Sequence, residues 1–265
     1  MESINANIVK RIFLGSIALA IVILSLFTSY DLFFLLACVF LIATLVEYRK
    51  MLKHADIYPY PAVCEVFGIL ILLGAIAGTT SEIILLGIFV SFLCGIIIQS
   101  KPFFENLTAT ILGFLIVLPL SYILLILNIN NLLVLLLLLV VPLGDFASSV
   151  IGAKYGKKKL CEGISPNKTF LGAVVNLITI SLLTVIFGEI SGGNVFAWLG
   201  LGMVVSVFSQ IGDLSMSLIK RGVGVKHSSD LFLNYGGLID RIDAFIFSAP
   251  AMYIYCMIMI SGGLF

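Results

Sequence analysis

Apolar residues run on for roughly twenty positions at a time, broken only by short polar connections, from about residue 12 to residue 260. Runs of that length match what an α-helix needs to cross the hydrocarbon core of a bilayer. The pattern predicts spans over about 12–29, 32–48, 61–78, 82–99, 107–127, 131–152, 169–189, 195–219 and 238–260. Nine crossings would use roughly 180 of the 265 residues, which leaves too little for a separate soluble domain. The expected fold class is all-α, a polytopic integral membrane protein with about nine transmembrane helices. The first run follows Lys10 and Arg11 as a signal peptide would. It continues into Thr28, Ser29 and Tyr30 without a small-x-small cleavage pattern, so it is read as a span.

Composition agrees: 61% of residues are apolar and 11% charged, against about 45–50% and about 25% in a soluble domain. That excludes a soluble cytosolic enzyme. A net charge of +1 gives no electrostatic footprint for nucleic acid. The placement of the charges is more informative. With nine spans, all fifteen Lys and Arg residues fall on one side of the membrane. By the positive-inside rule that side is cytoplasmic, with the N-terminus in and the C-terminus out. The expected location is the cell (inner) membrane. The opposite connections are short and weakly charged, so function is expected on the cytoplasmic face, in two longer loops, Lys154 to Lys168 and Lys220 to Gly237. Residues 1–130, spans one to five, are read as a structural, lipid-facing part, and residues 131–265, spans six to nine, as the catalytic part. The five cysteines show neither metal-type pair spacing nor a disulfide framework.

Four carboxylates stand out. Asp213 lies seven residues before Lys220, roughly 10 Å inside its helix end, and Asp145 lies nine before Lys154. A charged side chain near the centre of a membrane helix costs about 2.5–3.5 kcal/mol on insertion scales, so such residues are functional candidates. Asp240 and Asp243 share a face of the first turns of span nine, where the helix dipole alone would favour one acid. Together the four stand at one membrane level, an oxygen-rich set suited to Mg²⁺. Along span eight, Ser209, Asp213, Ser217 and Arg221 form one polar stripe. Ser165 with Pro166 reads as an N-cap and first residue of span seven, a helix start able to receive phosphate. Lys168 then falls in the first turn, where it opposes the dipole unless an anion lies between them. Lys157 and Lys158 are read as topogenic or lipid-facing charges. Glu47 and Glu65 are read as solvated or snorkelling span ends. No Walker A or GxGxxG sequence occurs.

From about Gly144 to Pro250 the chain resembles the integral-membrane phosphatidate cytidylyltransferases, or CDP-diacylglycerol synthases. Ser217, Lys220, Arg221 and Lys226 match the opening of that family's C-terminal signature; Gly236, Gly237, Asp240, Arg241 and Asp243 match its end. Ser165-Pro166-Asn167-Lys168-Thr169 is similar to its upstream Ser-Pro-x-Lys-Thr element, and Asp145 to the acid ahead of its Lys-bearing loop. Departures are His227 for an Asp, Leu233-Asn234-Tyr235 for Pro-Gly-His, and Leu171 for a Glu. The resemblance implies transfer of CMP from CTP to phosphatidate with release of diphosphate, within membrane lipid. It implies Mg²⁺, one ion or two, on Asp213 and Asp240 with Asp243 or Asp145. It also implies phosphate or substrate contacts from Ser165, Asn167, Lys168, Ser217, Lys220, Arg221, Lys226 and Arg241. Asp213, Asp240 and Lys168 would then be the catalytic set, and a homodimer the expected assembly. Two other readings remain open: a cation transporter or channel, since intramembrane acids also line ion paths, and a related CTP-dependent enzyme of isoprenoid lipids or lipid alcohols.

Overall fold

The computed structural model describes residues 20–229 and 236–262. Helix α1 occupies residues 20–28. It is followed by α2 (Tyr30–Leu52), α3 (Pro61–Ala77), α4 (Thr80–Ile98), α5 (Phe103–Ile129) and α6 (Asn131–Tyr155). A short hairpin, β1 (Lys159–Cys161) and β2 (Ser165–Thr169), leads into α7 (Phe170–Ser191) and α8 (Val195–Gly222). A one-turn helix, α9 (Ile239–Ile242), precedes α10 (Phe245–Ser261). Among the described residues seven helical stretches are long and apolar enough to cross a membrane, and α3 is a shorter apolar helix. Much of the first expected span lies outside the described residues.

Side chains fix four of the helix starts. Ser29, Asn130, Thr169 and Asn194 each accept a hydrogen bond from a backbone N–H of the first turn of α2, α6, α7 and α8, satisfying donors that the helix itself leaves open. The expected start of span seven at Ser165-Pro166 is displaced by four residues. Proline keeps the residue before it extended, and Ser165–Thr169 pairs antiparallel with Lys159–Cys161 as β2. Thr169 then caps the helix, its Oγ1 accepting from Gly172 N at 3.1 Å. Lys168 therefore precedes the helix and does not lie in its first turn.

In hydrocarbon there is little apolar transfer energy to gather helices, so close approach and polar contacts do that work. Helices α6, α7, α8 and α10 pack in succession; α2, α3, α4 and α5 form a second group, joined to the first where α10 and α6 meet α5. Helix α5 is the most enclosed of the long helices and α4 the least. The larger core runs through Leu41, Ile71, Val117, Leu124, Leu137, Leu201 and Met252. A smaller core of Tyr48, Met51, Ile116, Met216, Val223, Ile239 and Ile242 lies at the end of the bundle that carries the hairpin and α9. There Tyr48 Oη donates to Ala109 O at 3.0 Å, and Asn106 and Thr110 of α5 accept from the backbone N–H groups of Tyr58 and Tyr60. These contacts tie α2 and the segment before α3 to α5.

Candidate active site

A cavity of about 610 Å³ opens between the C-terminal end of α6, the hairpin, the start of α7 and the middle of α8. Asp145, Ser148, Ser149, Lys159, Asn167, Lys168, Asn176, Gln210 and Asp213 are among the residues that line it. Thr169 anchors the hairpin side: its Oγ1 donates to Gly152 O at 3.4 Å, while Phe170 N donates to Lys158 O at 2.9 Å. Strand β2 thereby carries Lys168 across the cavity mouth to Asp213 on α8, with Nζ 2.6 Å from Oδ2. Both side chains remain 27% exposed. Ser217, one turn along α8, donates to Asp213 Oδ1 at 3.4 Å.

Behind this open pair lies a closed one. Lys220, only 6% exposed, donates to Asp240 Oδ1 and stands 3.5 Å from Asp243 Oδ2. Asp240 Oδ2 also accepts from Ser228 N, Ser228 Oγ and Gly237 N at 2.9–3.1 Å. His227 Nδ1 is 4.0 Å from the same oxygen. Asp243 lies one turn beyond Asp240, its N–H donating to Ile239 O at 3.1 Å, and both carboxylates face Lys220. Its backbone packs against α8, where a Cβ at Gly212 would collide with the Asp243 carbonyl. Glycine at 212 is what lets the two backbones touch. Asp213 lies within electrostatic range of Asp145, Asp243 and Lys220. The four acids picked from the sequence thus form a row, Asp145, Asp213, Asp243 and Asp240, interleaved with Lys168 and Lys220.

The remaining sequence candidates divide. Asn167 and Lys168 line the cavity, whereas Ser165 and Ser217 do not. Arg221 is exposed and bonded to backbone, Nε donating to Ile164 O and an Nη to Val225 O, so it straps the hairpin turn to the end of α8. Lys226 and Arg241 are exposed. The Leu233-Asn234-Tyr235 departure lies outside the described residues, and Leu171 is an exposed residue of α7. Of the loop lysines, Lys159 lines the cavity and Lys154, Lys157 and Lys158 do not.

Sequence reasoning missed a buried amide network on the cavity floor. Asn176 Nδ2 donates to Asp145 Oδ1 at 3.0 Å, and Asn176 Oδ1 accepts from Ser206 Oγ at 2.6 Å and Gln210 Nε2 at 3.3 Å. The signal was present: Asn176 and Gln210 are amides inside apolar spans, costly unless paired. Glu47 was misjudged. It is buried at 2% exposure, and its carboxyl oxygens accept from Leu238 N at 2.8 Å and Ile239 N at 3.2 Å. The contacts available at the end of α9 outweigh the solvation it would gain at a free span end. Glu65 is different, half-exposed and 2.6 Å from Arg49.

Carboxyl oxygens are the donors a hard divalent cation takes. Among the described residues no group of three or more His, Cys, Asp and Glu side chains is gathered to hold an ion unaided. Asp145 and Asp213 do bring carboxyl oxygens to the cavity, the donor type Mg²⁺ takes when one or two protein carboxylates are supplemented by substrate phosphates.

The cytidylyltransferase family model matches residues 9–259. Related proteins include YnbB of Escherichia coli strain K12, an uncharacterized protein, 38% identical over 125 residues that make up 47% of this chain and 42% of YnbB. The phosphatidate cytidylyltransferase of Staphylococcus saprophyticus is 39% identical over 121 residues, 44% of this chain and 45% of that protein. That of Staphylococcus aureus strain COL is 38% identical over 119 residues, with the same coverages. The chain spans less than half the length of these curated relatives. The match over most of its own length places it in the cytidylyltransferase family.

Proposed function

We propose that this member of the cytidylyltransferase family is a phosphatidate cytidylyltransferase, a membrane nucleotidyltransferase that converts CTP and phosphatidate to CDP-diacylglycerol and diphosphate. It would work at the cytoplasmic face of the cell (inner) membrane, as a homodimer, and supply phospholipid biosynthesis. The observation that carries this reading is the open cavity of about 610 Å³ in which Asp145, Asp213, Lys159 and Lys168 face one space, backed by the Lys220, Asp240 and Asp243 cluster.

In the reaction a phosphate oxygen of phosphatidate attacks the α-phosphorus of CTP, the bond from that phosphorus to the β-phosphate oxygen breaks, and diphosphate leaves with the electron pair. The attacking oxygen is already anionic near neutral pH. The barrier is thus lowered chiefly by in-line positioning and by charge neutralisation. Lys168 and Lys159 hold the triphosphate at the cavity mouth, with Asn167 beside them. Asp213 and Asp240, with Asp243 or Asp145, would hold Mg²⁺, one ion or two, and the ion would supply charge neutralisation for the triphosphate. Lys220 keeps Asp240 and Asp243 together, and Asn176 orients Asp145. Arg221 holds the hairpin on which Lys168 sits. Ser165, Ser217, Lys226 and Arg241 take supporting places around these groups.

The test is radiolabelled CTP with phosphatidate in detergent micelles, with and without Mg²⁺, following lipid-linked CMP and diphosphate together. Metal-dependent formation of both in equal amounts is expected. An isoprenoid phosphate or lipid alcohol turning over in place of phosphatidate would move the assignment to that substrate. Failure of every lipid acceptor would overturn it and return the row of acids to an ion-path reading.

A further inference from the structure

Glu47 belongs to the part of the chain expected to be structural, yet its bonds reach 191 and 192 residues ahead, to the backbone that carries Asp240. The carboxyl group is enclosed, and each of its oxygens takes one N–H, Oε2 from Leu238 and Oε1 from Ile239. Those N–H groups open α9 and have no partner within it, as in any first helical turn. The loop is shaped to admit the carboxyl: a Cβ at Gly237 would collide with Glu47 Oε1 and Cδ. Gly237 in turn donates its own N–H to Asp240 Oδ2, which also holds Ser228. Glu47, Gly237, Asp240 and Lys220 are therefore consecutive links, with Tyr48, Met51 and Ile239 packed around them.

We infer that Glu47 is a positioning residue of the transfer site: it fixes the backbone at Gly237–Ile239 and through it the carboxylate of Asp240. This inference rests on the function proposed above. Its chemistry requires an acceptor-only group, because two N–H donors converge on it. Glutamine matches the shape but turns one oxygen into a donor facing a donor.

The experiment compares wild type, Glu47→Gln and, as a control at the same end of α2 and α3, Glu65→Gln, all full-length in nanodiscs. Amide hydrogen exchange at Ser228, Gly237, Leu238 and Ile239 is measured beside kcat and KM for CTP and phosphatidate, and beside thermal unfolding. In Glu47→Gln exchange at all four amides is expected to accelerate at least tenfold and kcat to fall at least tenfold, with KM for phosphatidate within threefold. Glu65→Gln should keep wild-type exchange at these amides and wild-type kcat. Wild-type exchange in Glu47→Gln overturns the clamp. Faster exchange at Leu238 and Ile239 alone, or with kcat per folded molecule unchanged, reduces Glu47 to a structural contact and overturns positioning. Should Glu47→Gln not fold, Glu47→Asp retains both acceptor oxygens one methylene further back, and intermediate values of both readouts are expected; wild-type values in it overturn the inference. If wild type itself transfers no CMP, the proposed function falls, and exchange at Ser228 and Gly237 alone decides whether Glu47 holds Asp240.

Discussion

The site contains two lysine–carboxylate clusters that differ in how water reaches them. Lys168 and Asp213 meet at the cavity mouth with 27% of each side chain exposed, each with one ion-pair partner. Lys220 meets both Asp240 and Asp243 with 8%, 11% and 13% of the side chains exposed. An exposed pair is held weakly, by about 0–1 kcal/mol, and yields readily to a competing anion or cation. A buried cluster is different, since losing one member strands charge in a medium that solvates it poorly. The open cluster is thus suited to exchange partners when a triphosphate arrives, and the closed one to keep its geometry throughout. The two are joined at α8, where Asp213 follows Gly212 and Gly212 touches Asp243.

Removing Lys220 should separate the clusters most sharply. Lys220→Ala leaves Asp240 and Asp243 without their cation, and a loss of about 3–5 kcal/mol of stability is expected. CMP transfer should fall below detection. Thermal unfolding in detergent against the wild-type protein checks the first part, and the radiolabel assay the second. A variant as stable as wild type would mean that the closed cluster is no more structural than the open one.

Asp213→Asn should abolish transfer by a factor of about 10²–10³ or more, the scale seen when a group aimed at transition-state charge is lost. Its unfolding temperature should stay near wild type, because about a quarter of each side chain in its pair with Lys168 is open to solvent. Lys168→Gln comes next, with kcat/KM for CTP expected to fall about 10- to 100-fold, the size of one charge-assisted contact to phosphate. Stability should again be retained within about 1 kcal/mol. Measured together, the two variants test whether the open cluster acts only in turnover.

Much of this was legible because the bilayer leaves few options. Spans must be long and apolar, so their positions could be read from residue runs. Acids inside them are expensive, which singled out Asp145 and Asp213 as candidates, and the i,i+3 spacing of Asp240 and Asp243 added the other two. What escaped depends on contacts distant in sequence or on competing local rules. Ser165-Pro166 has the form of a helix start, yet strand pairing with Lys159–Cys161 takes the segment and Thr169 supplies the cap. Glu47 has the form of a solvated span end, and nothing near it in sequence signals the N–H donors at Leu238 and Ile239. Arg221 was chosen by charge, but its donors point to the carbonyls of Ile164 and Val225.

The smallest effect is expected from lysines that share the hairpin loop but not the cavity. Lys157 and Lys158 are exposed, and Lys158 lies 5.9 Å from the Phe170 ring centroid, away from Asp213's partner Lys168. A cation near an anionic lipid surface contributes about 1 kcal/mol of attraction, or a factor of about five in local concentration of an anionic lipid. In the Lys157→Gln, Lys158→Gln double variant kcat should stay within about twofold of wild type, while the apparent KM for phosphatidate rises a few-fold in vesicles of otherwise zwitterionic lipid. Raised ionic strength should shrink that difference, since such attraction is screened over about 8–10 Å. Lys159→Gln, one residue on and inside the cavity, should instead raise KM for CTP with little response to salt. If the double variant lost turnover as Lys168→Gln does, the boundary of the open cluster would have to be drawn around the whole loop.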